Sequence, residues 1–251
     1  MDPRASSPGP PTGWPVSADG IAYPPEPWRL RGELYGSFWL VPRSTVEAFL
    51  PEGVAPLAVS DRALVVTGWA VYRPGSVLRY RELLCGVALR ADDGFGLSIT
   101  HIWVDDPASM AGGRELWGVP KQLARFAPTG SGAFGEEARD EGGQIARLTF
   151  DRTLPVPGQW PLTLQAVQEL RGRLKVTRLR IDGRVDLGRA VWRFSETGPL
   201  GFLRGHMPIL SVRSGSAVIG FGVDASESRA SFLPDALAWL LSSRPRQSYG
   251  R

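Results

Sequence analysis

The sequence contains no asparagine, one cysteine and two histidines, and of its 29 basic residues only Lys121 and Lys175 are lysine. Each scarcity excludes something. Cys85, alone, cannot close an internal disulfide, and without a Cys-x-x-Cys there is no thiol pair for zinc or redox work. His101 and His206 lie far apart with no metal-ligand spacing, so no metal site is expected. No apolar run approaches the roughly 20 residues that cross a bilayer. The opening MDPRASSPGPPTGWP lacks the apolar centre of a secretory signal. The expectation is a cytoplasmic protein with no membrane partner. GC-rich coding is the ordinary source of the arginine excess. It still singles out the two lysines, because arginine serves for solvation and ion pairing, whereas only lysine can act as an amine nucleophile near neutral pH.

What is present fits a globular chain: 251 residues, 43% hydrophobic and 22% charged, enough for one β-rich domain with a real core. The net charge of +4 comes from arginines interleaved with 25 acids. Nucleic-acid binding needs a concentrated basic patch, and none is expected here. The densest basic stretch, Arg171, Arg173, Lys175, Arg178 and Arg180, alternates with Leu174, Val176, Leu179 and Ile181. That pattern predicts a strand with one basic, solvated face.

Residues 1–27 hold eight prolines and predict an extended arm, with a single folded domain over 28–251. Strands are expected at Gly32–Val41, Leu64–Tyr72, Tyr80–Ala91, Gly96–Val104, Lys121–Phe126, Gln144–Phe150, Lys175–Ile181 and Arg184–Phe194. Two more, Pro208–Val212 and Ala217–Val223, are expected to join through an RSGS turn. Pro161–Leu174 can be drawn as helix or strand. Helices are expected at Ser44–Leu50, with a Ser44/Glu47 capping box, from Asp106-Pro107 to about Trp117, and at Leu233–Leu241. Short strands at hairpin spacing, without βαβ alternation, predict a mostly β fold: an antiparallel, barrel-like sheet with two or three short helices. Gly130-Ser131-Gly132-Ala133-Phe134-Gly135 matches the dinucleotide pattern, but EEARDEGG follows where a helix is required, so a hairpin loop is expected. No G-x-S-x-G elbow occurs.

The informative region runs from Tyr80 to Phe126. It holds Tyr80-x-Glu82, then Gly113-Arg114-Glu115, then Pro120-Lys121. In order and spacing these pieces resemble the acetoacetate decarboxylase superfamily. The likeness is good over 80–126, thinner over 27–73 and faint towards the C-terminus. It implies that family's barrel, a homo-oligomer, and a cofactor-independent lyase acting on a β-keto acid or related small carbonyl compound. Lys121 matches the family's Schiff-base nucleophile and Glu82 its acid. Arg114, Arg31, Trp117 and Tyr80 become candidates for holding substrate. A Schiff-base aldolase or dehydratase, or a non-catalytic binding protein, are the alternatives on the same scaffold.

The chemistry makes a demand. At the ordinary lysine pKa of about 10.4, fewer than roughly one amine in a thousand is neutral at pH 7. Burial or a nearby cation must favour the neutral form. Leu116, Trp117, Val119, Pro120 and Leu123 supply apolar surroundings, and Arg114 and Arg125 are candidate cations. Three family positions differ. Gln122 stands where the decarboxylases carry a second lysine. Ungapped registration puts Glu33 where they have an arginine, with Arg31 two residues away, and Thr67 where they have another glutamate. Trp69, Tyr72 and Trp103 are expected in the core, and Lys175 in solvent.

Overall fold

The computed structural model describes residues 13–91, 94–130 and 132–224. The expected helix at Leu233–Leu241 lies outside these residues. In chain order the elements are β1 (Trp28–Pro42), α1 (Arg43–Val46), β2 (Ala58–Val59), β3 (Arg62–Tyr72), β4 (Arg81–Ala91), β5 (Gly94–Val104), α2 (Pro107–Trp117) and β6 (Lys121–Leu123). There follow β7 (Arg125–Pro128), β8 (Phe134–Asp140), β9 (Gly143–Val156), β10 (Leu162–Leu170), β11 (Arg173–Asp182), β12 (Val185–Phe194) and β13 (Leu210–Phe221).

Seven strands, in the order β1-β3-β4-β5-β10-β11-β13, close into a barrel because β13 also pairs antiparallel with β1. All neighbours in it are antiparallel except β5 and β10. From β13 the sheet continues through β12, β9, β8 and β7. This second leaf packs against the outer wall of the barrel.

Strand alternation therefore makes two cores. On β3 and β4, Trp69, Leu83 and Cys85 face outwards into an inter-sheet core with Trp39, Trp103, Leu148 and Phe150. Ala70, Tyr72 and Tyr80 face the barrel interior with Leu30, Val104, Leu179 and Ile219. Trp28, Ile99, Ile102, Trp117 and Val119 form an adjoining cluster. A bulge in β5 at Thr100, opposite Cys85 and Gly86, brings both Ile99 and Ile102 to that cluster.

Several expectations change. The Ser44/Glu47 capping box does not form: α1 is one turn without a side-chain cap, continued by a 3-10 turn at Glu47–Phe49. Pro161–Leu174 resolves into β10 and the β10–β11 turn. The RSGS segment is no turn but the middle of β13, where the register with β1 slips between Gly32 and Leu34. Lys121–Phe126 splits into β6 and β7, and the acidic run expected as a connection is β8. The Gly-rich motif ends inside β8, at Phe134 and Gly135, and β8 pairs antiparallel with β7, as a hairpin requires. Within residues 13–27, Tyr23 is buried, and the Pro24 carbonyl accepts from the Trp28 indole. The basic stripe also divides, since Lys175 shares the buried face of Thr177 and Leu179 while Leu174 and Val176 are exposed.

Candidate active site

The site is built on one helix and the strand that follows it. Asp106 caps α2, its carboxylate accepting from the Ser109 backbone N–H at 2.6 Å, and Pro107 occupies the first turn. Gly118 ends the helix in the left-handed region at φ 67°, where a Cβ would also collide with the Glu169 carbonyl of β10. The chain then enters β6, parallel to β5, and Lys121 turns back under α2. Gly113 makes room for it: a Cβ there would stand 2.7 Å from Lys121 Cδ. The Arg114 guanidinium fixes the turn by donating to the Lys121 carbonyl at 2.6 Å.

Only 5% of Lys121 is exposed, and the same holds for Glu82. The Lys121 Nζ lies 2.9 Å from Glu82 Oε2, 2.9 Å from Ser109 Oγ and 3.3 Å from the Tyr80 hydroxyl. The other carboxylate oxygen of Glu82 accepts from the Tyr72 hydroxyl at 3.2 Å. The amine also stands over the rings of Tyr80, at 4.8 Å, and Trp28, at 5.6 Å. A buried ion pair is tolerated only when its remaining donors and acceptors are satisfied. Here an ammonium's three N–H groups meet three acceptors. Burial first, and then the Glu82 charge, hold both phenols well above their ordinary pKa, so Tyr72 and Tyr80 keep their protons.

Of the residues expected in the site, Lys121, Glu82 and Tyr80 come together. Arg114 acts on backbone, and its side chain belongs to an exposed residue. Trp117 supports the wall, packed edge-on against Trp28 at 4.9 Å with its indole donating to Glu26. Arg31 is exposed on the face of β1 opposite Trp28 and Leu30, and its backbone is tied to Ser76, so it does not join the group. Gln122 and Arg125 are exposed.

The ungapped registration is corrected by strand parity. Thr67 faces the inter-sheet core and accepts from the Trp39 indole. Glu33 sits with Arg73, Arg213 and Tyr35. The β3 residue that reaches the site is Tyr72, which lies in the barrel core as expected and also donates to Glu82. Ser109 was missed because a serine in a first helical turn signals only a helix start. Its spacing was the available clue, because Ser109, Gly113 and Trp117 recur every fourth residue on one helical face. Among the described residues, no group of three His, Cys, Asp or Glu could hold a metal ion.

A barrel with a buried lysine–glutamate pair at the foot of a capped helix places this molecule among the acetoacetate decarboxylase folds. The chain belongs to the acetoacetate decarboxylase family, whose model, "Acetoacetate decarboxylase (ADC)", matches residues 11–195. It is 34% identical over 114 residues to acetoacetate decarboxylase 1 of Bradyrhizobium diazoefficiens, a match spanning 41% of this chain and 41% of that relative. The acetoacetate decarboxylase of Legionella pneumophila superposes with a TM-score of 0.64 at 18% identity, covering 88% of this chain and 93% of that one. The enduracididine biosynthesis enzyme MppR, complexed with the condensation product of pyruvate and imidazole 4-carboxaldehyde, gives 0.57 at 19%, covering 85% and 97%. At these identities the two superpositions speak for the fold alone. No helix among the described residues is long and apolar enough to cross a membrane.

Proposed function

We propose that this protein is a cofactor-independent lyase that binds a small β-keto acid or related carbonyl compound as a Schiff base on Lys121. The observation that carries the reading is the amine itself, buried, 2.9 Å from a carboxylate and ringed by hydroxyls. Family membership supports it.

The steps use groups already in contact. Moving a proton from Lys121 Nζ to Glu82 Oε2, 2.9 Å away, gives a neutral pair with no change in total charge. The nitrogen lone pair then attacks the carbonyl carbon, and the π pair goes to oxygen. Loss of that oxygen as water leaves an iminium ion. With a carboxylate β to the original carbonyl, the C–C bond pair flows into the iminium as carbon dioxide departs. The resulting enamine takes a proton from solvent at carbon, and water releases the ketone and the lysine.

A second reading keeps the imine and replaces decarboxylation with aldol or dehydration chemistry. Gln122, exposed where the decarboxylases have a second lysine, favours it. Carbon dioxide release from a β-keto acid panel divides the two. Lys121-dependent release supports decarboxylation. Lys121-dependent loss of ¹⁸O from a labelled ketone without carbon dioxide supports the second reading. Neither signal above the spontaneous rate would overturn both.

A further inference from the structure

We infer that Ser109 is a catalytic proton relay for imine formation, a role that rests on the Lys121 reading above and goes beyond it. Ser109 is 0% exposed, and its Oγ lies 2.9 Å from the nucleophilic nitrogen, as close as Glu82. The hydroxyl is not needed to cap the helix, because Asp106 already does so. Packing alone would be served by alanine. The hydroxyl's described partners are the Lys121 amine and Tyr80.

Counting hydrogens gives it a task. Three acceptors suit an ammonium, whereas the iminium keeps one N–H. Glu82, the only charged acceptor of the three, retains that one. Attack of the neutral amine leaves two hydrogens on a positive nitrogen and a negative charge on the former carbonyl oxygen. Ser109 Oγ takes one hydrogen from nitrogen as its own passes to that oxygen, giving a neutral carbinolamine and an unchanged serine. Glu82, carrying the proton it first accepted from Lys121, then protonates the hydroxyl. Water leaves as the nitrogen lone pair forms the C=N bond. Tyr80 is less suited, with its oxygen 3.3 Å from Nζ.

The test compares wild type, Ser109→Ala and Ser109→Thr for ¹⁸O loss from carbonyl-labelled pyruvate, above the spontaneous rate. A borohydride-trapped adduct at saturating pyruvate is weighed in parallel. A relay sets the rate of approach to equilibrium and not its position. Alanine should therefore slow exchange about 10²-fold with the trapped amount unchanged, and threonine should restore most of the rate. Alanine exchanging as fast as wild type would overturn the relay and leave the Lys121 reading intact. Alanine and threonine equally slow, or a trapped amount falling with the rate, would assign Ser109 to packing. No exchange and no adduct in wild type would overturn both.

Discussion

Arg81 and Glu82 are neighbours on β4, yet they point to opposite faces of the strand and belong to two different buried carboxylate clusters, one around Glu136 and one around Glu82 itself. Arg81 points outwards and donates to Glu136 at 2.9 Å, and Glu136 also accepts from the Trp69 indole at 2.7 Å. Glu82 points into the barrel, towards Lys121, Tyr72 and Ser109's neighbourhood. Both acids are nearly inaccessible, 6% and 5% exposed. Their partners separate them. A guanidinium and an indole N–H give up no proton near neutral pH, so the contacts of Glu136 join two sheets and nothing more. An amine can exchange a proton with its carboxylate, which turns the same burial into chemistry. Similar burial thus does not mark a site; the partner's ability to change protonation does.

The comparison breaks most visibly at the amine. Lys121→Ala should abolish turnover, a fall on the order of 10⁴-fold or more, read as product formed from whichever carbonyl substrate the wild type accepts. Glu82→Gln should cost about 10² to 10⁴-fold in the same assay. Glu136→Ala is the contrasting substitution. It leaves the Trp69 indole unpaired and Arg81 with Asp105 alone, 3.5 Å away, and should lower unfolding free energy by about 1–2 kcal/mol in urea melts, while folded protein keeps its turnover.

Smaller effects sharpen the same contrast. Burial pushes the Glu33 carboxyl up, but hydrogen bonds from Arg73 and Tyr35 more than reverse this and leave it below its ordinary value. A carboxyl lowered by folding contributes stability present above its unfolded pKa and lost as pH falls through the folded one. Glu33→Gln should therefore cost under ~1 kcal/mol at neutral pH, and the difference from wild type should vanish on acidification. Smallest of all, burial pushes the Cys85 thiol to about 12, so iodoacetamide should leave the folded protein unlabelled at pH 8 and modify it only in denaturant.

Sequence reasoning saw the features whose chemistry is local. Helix α2 announced its start in Asp106-Pro107, and the Tyr80/Glu82 and Lys121 spacing survived into contact. What it missed depends on strand parity or on partners distant in the chain. Strand β8 was hidden because Glu136 breaks the apolar-inside pattern, and only Trp69 and Arg81, far away in sequence, explain a buried acid there. Lys175 sits on an inward face because Leu174 and Val176 point out, an inversion that composition does not encode. Arg31 fell on the wrong face by one residue of register, where every slip moves a side chain to the opposite side.

Borohydride trapping reads the imine on Lys121 itself. The protein is incubated with pyruvate or acetoacetate, reduced, digested and weighed. One stable adduct is expected, carried by the peptide containing Lys121 and absent from Lys121→Arg. Turnover that persists with Lys121 unmodified, or an adduct borne by Lys175 in its place, would contradict an imine on Lys121.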